Sequence, residues 1–350
     1  MQFTTSPIKG GFFYEERSDV SLCRMNGYKN MTKYSTMKKI LVTGAFGLVG
    51  SDLIIELGRI YGKKNIILLA HETKRQVDYP LENGDVRDRN QLKRIIGKYN
   101  VGQIYHLAGL LSVGGEKNPP LAWDININGL RNVLDLAVEN KCSVFWPSSI
   151  AVFGPTTPRE NTPQHTILEP TTMYGVTKLA GELLCQYYFL KYALDVRSLR
   201  YPGLIAYNAP PGDGTTEYSV HIFYGALKNK SYSCFLKKGT VLPMMFIDDA
   251  VKGTIKLMAA DPKKLSVRTS YNFAAISFAP EELVSEIKKL IPGFKNDYKP
   301  DHRQKIADSW PKTIDDSQAR KDWGWRHEYN LPKMTRLMLE KLGIKLKRKD

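Results

Sequence analysis

The sequence predicts an α/β fold, in which a doubly wound parallel sheet carries helices on both faces and precedes a smaller C-terminal lobe. Two observations predict this fold. Short β-prone apolar runs alternate with segments of helical period from about residue 39 to residue 200. A glycine-rich turn joins the first predicted strand to the first predicted helix, as in the βαβ unit that opens a parallel sheet.

The elements follow in a regular order. The predicted strands are a run beginning at residue 39 and the segments 65–69, 103–107, 143–147 and 195–200. The predicted helices between them are 49–61, 90–98, 124–139 and 173–192. The pattern then loosens: a Pro/Gly-rich loop is followed by helices at 217–228, 248–260 and 280–290, a strand at 271–274, and an amphipathic helix within 315–342.

The chain of 350 residues is long enough for one large domain and an appended lobe. We divide it into an extension at 1–36, a dinucleotide-binding domain at 37–204, and a substrate-binding lobe at 205–350 that is partly interleaved with the main sheet. The extension matches a mitochondrial leader only in part, because it contains acidic residues. A translated upstream segment or an expression remnant fits it as well. We expect a mitochondrial protein, with the cytoplasm as the alternative.

Composition excludes several classes of protein. Four scattered cysteines argue against a disulfide scaffold and against a structural zinc site, so no metal is expected. No apolar stretch approaches the roughly 18 residues of a membrane span. The net charge of +16 favours either nucleic-acid binding or a basic surface suited to anionic cofactors. We prefer the second reading, without a nucleic-acid partner, because basic and aromatic residues are not interleaved.

Three glycines shape the turn after the first strand. In Gly44-x-x-Gly47-x-x-Gly50 the first permits a tight turn, the second lets the backbone approach a pyrophosphate, and the third lets helix pack on strand. The pyrophosphate would lie at the positive end of the helix dipole. The turn therefore predicts a Rossmann-type dinucleotide site, although a purely structural turn remains possible. Its predicted contacts are Gly44, Phe46, Gly47, Leu48, Val49 and Gly50.

The end of the second strand bears on the choice of dinucleotide. Proteins specific for NAD usually place an acid there for the adenosine ribose, but Ala70 occupies this position and Glu72 is the nearest candidate. Lys74 and Arg75 follow and could meet a 2′-phosphate. NAD is the predicted cofactor, and NADP stays open.

Further cofactor contacts are predicted at the ends of later strands. Asp85 and Val86 are placed to touch the adenine, and Leu107 and Ala108 lie on the nicotinamide side. We interpret His106 as a core histidine.

Three side chains form the predicted catalytic set. Tyr174 and Lys178 lie four residues apart on one helix face, so the lysine cation could lower the tyrosine pKa and hold the nicotinamide ribose. Ser149 follows the strand at 143–147, on the edge where ligands bind, and could polarise the reacting oxygen. Capping is its structural alternative, and Ser148 is the less favoured partner.

With these motifs the chain resembles the extended short-chain dehydrogenase/reductases. The features that carry the resemblance are the glycine loop, Asp85-Val86, Asn126, the segment 149–154 and Tyr174-x-x-x-Lys178. The resemblance implies that Ser149 is the catalytic serine. It also implies that Asn126 shapes the helix near the active site, within the cofactor-binding set.

Within that family, the chain is most similar to the members that oxidise L-threonine at its 3-hydroxyl. The similarity rests on the segments 110–116, 199–205, 211–218, 242–247, 309–311 and 319–325. It implies that Ser112 and Thr216, with Thr215 as alternative, contact the substrate beside Ser149 and Tyr174. Leu204 would lie by the cofactor.

The expected reaction is hydride transfer from L-threonine to NAD⁺, giving 2-amino-3-oxobutanoate and NADH. The resemblance further implies a homodimer and a product that can pass to a coenzyme A-dependent ligase. One alternative is a nucleotide-sugar epimerase or dehydratase on the same scaffold, which the Arg200-Tyr-Pro-Gly203 turn disfavours. A non-catalytic dinucleotide sensor or a basic nucleic-acid binder is the other.

Overall fold

The computed structural model describes residues 38–71 and 73–347. The predicted extension at 1–36 and the ribose candidate Glu72 lie outside the described residues. Lys38–Asp350 groups as one compact unit. None of the described helices is both long enough and apolar enough to cross a bilayer.

Twelve strands and twelve α-helices are found among the described residues. The strands are β1 (Lys39–Thr43), β2 (Ile66–Ala70), β3 (Leu81–Asn83), β4 (Val101–His106), β5 (Ser143–Ser149), β6 (Val196–Tyr201), β7 (Gly203–Ile205), β8 (Ser231–Cys234), β9 (Leu242–Phe246), β10 (Tyr271–Asn272), β11 (Ile276–Phe278) and β12 (Lys295–Tyr298). The helices are α1 (Gly50–Tyr61), α2 (Arg89–Tyr99), α3 (Ser112–Lys117), α4 (Pro119–Trp123), α5 (Gly129–Asn140), α6 (Met173–Tyr192), α7 (Tyr218–Asn229), α8 (Ile247–Ala259), α9 (Pro280–Leu290), α10 (Arg303–Asp308), α11 (Ser317–Trp323) and α12 (Leu331–Lys347).

The central sheet has seven strands in the order β10-β6-β5-β4-β1-β2-β3, and every neighbouring pair is parallel. Side chains alternate across it, since Ile40 and Val42 join one apolar core and Leu41 joins the other. Two cores, one on each face, confirm the predicted doubly wound α/β fold.

The strand order reverses beside β1, and this reversal positions the site. β1 pairs with β2 on one side and with β4 on the other, with Thr43 level with His106. The chains leaving β1 and β4 therefore diverge to opposite sides and open a crevice at the carboxyl ends of the strands, where open α/β sheets bind ligands.

The C-terminal part of the chain contributes to this sheet as well as to smaller ones. β10 pairs with β6 at the sheet edge. The other late strands form a three-stranded sheet, β11-β9-β7, and a two-stranded one, β12-β8. The predicted strand at 271–274 is confirmed as the shorter β10. The strands of the two smaller sheets were not predicted from the sequence, because most have only three or four residues, too few to show a period.

One exposed glycine offers a test of helix energetics. Gly97 lies in α2, and a Cβ added there meets nothing within 4 Å. Gly97→Ala is expected to raise the free energy of unfolding by about 0.5–1 kcal/mol, because alanine loses less backbone entropy in a helix. Urea unfolding of the two proteins measures this change in the free energy of unfolding. An unchanged or lower midpoint would contradict this expectation.

Candidate active site

The glycine turn between β1 and α1 folds tightly onto the chain that follows β4. Gly44 has a φ of +65°, and a Cβ on it would lie 2.6 Å from the backbone nitrogen of Ala108. A Cβ on Gly50 would lie 2.4 Å from the carbonyl oxygen of Gly44. Both contacts are with backbone, so neither position has room for a side chain. The predicted reason for glycine, a tight turn, holds at Gly44, whereas Gly50 packs against the backbone of the turn rather than against a strand.

A groove runs along this turn and has two connected parts. The outer part, about 700 Å³, lies between the turn and the end of β2. The inner part, about 440 Å³, reaches the start of α6. Both are lined by Gly44, Gly47, Leu107 and Gly109. An elongated groove crossing a helix N-terminus fits a dinucleotide whose pyrophosphate lies on the backbone of the turn.

Most of the predicted cofactor contacts line this groove. They are Gly44, Phe46, Gly47, Leu48, Val49, Gly50, Leu107, Ala108, Tyr174, Lys178 and Leu204. Asp85 and Val86 do not line either part. Asp85 accepts hydrogen bonds from the Arg87 guanidinium, the shortest being 2.6 Å, while Val86 is buried.

Asn126 supports the groove from behind. Its Oδ1 accepts from the Leu110 amide at 2.7 Å, and its Nδ2 donates to the Leu110 carbonyl and to the Thr177 hydroxyl, both at 3.0 Å. The side chain therefore ties the loop after β4 to α6. This geometry agrees with a role in shaping the site and places the side chain off the groove wall.

Tyr174, Ser149 and Lys178 come together in the inner part of the groove. The Thr172 hydroxyl caps α6 by accepting from the Gly175 amide at 3.1 Å, which starts the helix at this point. Tyr174 therefore lies in the first helical turn, next to Ser149 at the end of β5. The two side chains hydrogen-bond, and this bond favours ionisation of Tyr174 by lowering its pKa.

Burial outweighs that favourable hydrogen bond. Desolvation raises the pKa of Tyr174 to about 12, and it lowers the pKa of Lys178 to about 7. The expected lowering of the tyrosine pKa by Lys178 is not seen in this structure, where burial has the larger effect. Lys178 instead donates to the Pro147 carbonyl at 2.6 Å, and its Nζ lies 5.4 Å from the Tyr174 ring centroid.

Ser148 has a structural role. Its buried hydroxyl donates to Glu182 at 2.6 Å, and Glu182 pairs with the buried guanidinium of Arg200 at 2.7 Å. This network joins β5, α6 and β6 beneath the site. Ser148 therefore has its hydrogen bond in the core. The Ser149 hydroxyl lines the groove and also has the capping role considered above, since it accepts from the Ala151 amide at 3.2 Å.

The predicted substrate residues Ser112, Thr215 and Thr216 line the inner part of the groove. Sequence reasoning missed Lys117 and Trp310, which line the same space. Trp310 belongs to a segment that carried the family resemblance, but its distance along the chain from Tyr174 gave no sign that the two share a cavity.

His106 is a core residue, as interpreted from the sequence. It is fully buried at the end of β4, and its Nδ1 lies 2.8 Å from the Thr43 hydroxyl. Burial lowers its pKa to about 3, so the ring stays neutral. Among the described residues, His, Cys, Asp and Glu form no cluster of three that could hold a metal ion.

Known proteins are similar to this chain in sequence. An uncharacterized epimerase/dehydratase of Staphylococcus haemolyticus is 46% identical over 315 residues, which cover 88% of this chain and 99% of the relative. Staphylococcal relatives lend no support to a mitochondrial location.

Solved structures are similar as well. L-Threonine dehydrogenase from Clostridium difficile has a TM-score of 0.87 and 48% identity, covering 88% of this chain and 98% of its own. L-Threonine dehydrogenase from Phytophthora infestans has a TM-score of 0.86 and 47% identity, covering 89% and 100%.

The sequence also matches, over residues 40–274, the family described as NAD dependent epimerase/dehydratase. This match spans the crevice, the glycine turn and the Ser149/Tyr174/Lys178 set. The chain therefore belongs to the NAD dependent epimerase/dehydratase family.

Proposed function

We propose that this protein oxidises L-threonine at its 3-hydroxyl with NAD⁺, giving 2-amino-3-oxobutanoate and NADH. The observation that carries the proposal is the convergence of Ser149, Tyr174 and Lys178 in one groove. The 47–48% identity to two L-threonine dehydrogenases supports the choice of substrate. The three side chains support the reaction, and the identity to these two enzymes supports the substrate.

The groove residues fit NAD. Gly44, Gly47 and Gly50 leave the backbone of the turn without a side chain at three positions where a pyrophosphate could approach, and the N-terminus of α1 favours its negative charge. Lys178 would hold the nicotinamide ribose, and Leu204 would pack beside the cofactor. When bound, NAD⁺ supplies the acceptor for the hydride that leaves C3 of threonine.

Side chains of this protein bind the substrate and accept its proton. Ser149 donates a hydrogen bond to the substrate oxygen, and Tyr174, as phenolate, accepts the hydroxyl proton. The cationic form of Lys178 would favour that phenolate once its side chain turns from the Pro147 carbonyl. Ser112 and Thr216 are placed to hold the amino acid's polar groups. Lys117, a second lysine in the same lining, suits the carboxylate of the amino acid.

The product is a β-keto acid, which loses carbon dioxide readily or can be cleaved by a coenzyme A-dependent ligase, the partner class we propose. The loop at 210–215 carries Gly212, Gly214 and Thr215 into the groove lining. We expect it to close over the substrate and exclude water.

An assay of NAD⁺ reduction tests the proposal. The purified chain is expected to form NADH with L-threonine, and L-serine and D-threonine serve as comparators. Inactivity of folded protein with L-threonine and either NAD⁺ or NADP⁺ would reject the substrate. Because the family includes epimerases, UDP-glucose is a further arm, and its turnover would favour the alternative.

The oxidation rate is expected to increase with pH. The pKa of Tyr174 is raised to about 12 by burial, so the phenolate fraction grows about tenfold per pH unit below it. We expect kcat/KM for L-threonine to rise between about pH 7 and pH 10. KM for NAD⁺ should rise between about pH 6 and pH 8, because Lys178, with a pKa of about 7, loses its cation there. Steady-state kinetics at several pH values measures both parameters, and a kcat/KM that falls between about pH 7 and pH 10 would contradict the assignment of the base.

We also propose a homodimer that pairs through α6. One face of this helix exposes Val176, Leu183, Tyr187 and Leu190, at spacings of seven, four and three residues. Leu190 is 72% exposed. An apolar stripe on a regular helix suits a two-fold interface with the same helix of a second copy. Light scattering of the purified chain tests for the dimer, because a monomeric mass would exclude this pairing.

A further inference from the structure

The short helix α3, which carries two of the proposed substrate contacts, has little stability of its own. It spans the six residues Ser112–Lys117, and two of them are Gly114 and Gly115. Glycine is unfavourable inside a helix, and a helix this short is marginal in water. Leu111 precedes the helix, and its aliphatic side chain cannot cap it. Contacts with other parts of the fold must therefore hold α3 in place.

One tether of α3 lies just before its first residue. The Asn126 side chain binds both the amide and the carbonyl of Leu110, and it also donates to the Thr177 hydroxyl. The Thr177 hydroxyl in turn donates to the Tyr174 carbonyl at 2.8 Å. These hydrogen bonds fix the start of α3 relative to the first turn of α6, where Tyr174 lies.

Glu116 forms a second tether near the other end of α3. Its Oε1 accepts a hydrogen bond from the Met173 amide at 2.6 Å. Met173 is the first residue of α6, so its amide is one of the donors that have no partner within that helix. A carboxylate is favoured there, because the N-terminus of a helix carries partial positive charge. The two helices lie close together, since a Cβ added to Gly115 would be 3.8 Å from the Tyr174 backbone nitrogen.

The Glu116 carboxylate contacts α6 rather than the groove. Ser112 and Lys117, at the two ends of α3, both line the inner part of the groove, whereas Glu116 is not among the described residues of that lining. Its side chain lies on the exposed surface. Any effect of Glu116 on the reaction must therefore pass through the position of α3.

We infer that Glu116 is a positioning residue, which holds α3 on the N-terminus of α6 and so fixes Ser112 relative to Tyr174. Lys117, the next residue of the same helix, is held in the same way. A binding group displaced by a fraction of its contact distance loses much of its effect, so a helix as weak as α3 needs both tethers. The inference rests on the proposed function, because it assumes that α3 binds the substrate on which Tyr174 acts.

Substitutions of Glu116 test this role by separating KM from kcat. Glu116→Ala is expected to raise KM for L-threonine by about tenfold and to lower kcat by no more than about threefold, because the change loosens a binding helix and leaves Tyr174 in place. The Kd for NAD⁺, measured by calorimetry, should stay within about twofold. Glu116→Gln keeps a side-chain oxygen as acceptor, so its KM should stay within about threefold of that of the unchanged chain.

A double-mutant cycle tests whether the effect passes through α3. If Glu116 positions Ser112, the variant with both Glu116→Ala and Ser112→Ala should have a KM at least about threefold below the product of the two single effects.

Glu281→Ala is the matched control. Glu281 lies in the first turn of α9 and accepts from the Gly239 amide at 2.9 Å, and it is not among the described residues of the groove lining. Its loss removes the same kind of carboxylate–amide contact, so KM and kcat should equal those of the unchanged chain. The melting temperatures of Glu281→Ala and Glu116→Ala should each fall by no more than about 4 °C.

The outcomes separate the two proposals. A KM for L-threonine within about twofold of the unchanged chain in Glu116→Ala would exclude the positioning role and leave the proposed reaction standing. An equal rise in KM in Glu116→Gln or in Glu281→Ala would also overturn it, as would a double variant whose KM equals the product of the single effects. If the unchanged chain forms no NADH with L-threonine, both proposals fail.

Discussion

Replacing Tyr174 with phenylalanine is expected to lower kcat for L-threonine oxidation by about 10²- to 10⁴-fold, because the variant has no group that can accept the hydroxyl proton. The ring keeps its shape and packing, and the change removes the hydroxyl's hydrogen bond to Ser149. NAD⁺ affinity, measured by calorimetry, should therefore stay within about twofold.

Tyr192→Phe is the matched control. It removes a hydroxyl from the same helix, at an exposed position at its far end. Its kcat should equal that of the unchanged chain. Retention of more than about a tenth of the activity in Tyr174→Phe would remove the tyrosine from its role as base.

Gly47→Ala is expected to raise the Kd for NAD⁺ by about tenfold or more while leaving the fold intact. An added Cβ would lie 3.3 Å from the Gly44 carbonyl oxygen, so the folded turn can accept it with a small shift. The methyl group would nevertheless keep a pyrophosphate from approaching the backbone. Calorimetry gives the affinity, and thermal unfolding gives the stability.

Gly44→Ala provides the contrast, because its Cβ would collide with the backbone of Ala108 at a positive φ. It should lower the melting temperature as well as the affinity. Gly97→Ala controls for the substitution itself and should leave the affinity unchanged. If Gly47→Ala binds NAD⁺ as tightly as the unchanged chain, the pyrophosphate does not lie on this turn.

Short-range patterns made the parallel sheet, its glycine turn and the reactive face of α6 predictable. The 173–192 helix was placed at its observed bounds, and Tyr174 and Lys178 share its groove face because a four-residue spacing is nearly one turn. The same local rules failed at short strands such as β3, whose three residues show no period.

Other features depend on residues far apart in the chain. Asp85, which was predicted to touch the adenine, pairs with Arg87, and Arg87 also reaches Asp124 on a distant segment. Trp310 and Lys117 enter the same cavity only through the packing of distant segments.

The sequence by itself determined the fold class and the glycine turn, and it predicted the three side chains that meet in the groove, because these patterns span few residues. Only the tertiary structure decided which distant residues line the groove with them and how burial shifts the pKa values of Tyr174 and Lys178. A pKa depends on how much water and charge the whole fold leaves around a group, and burial of Tyr174 and Lys178 is set by elements that the local sequence does not contain.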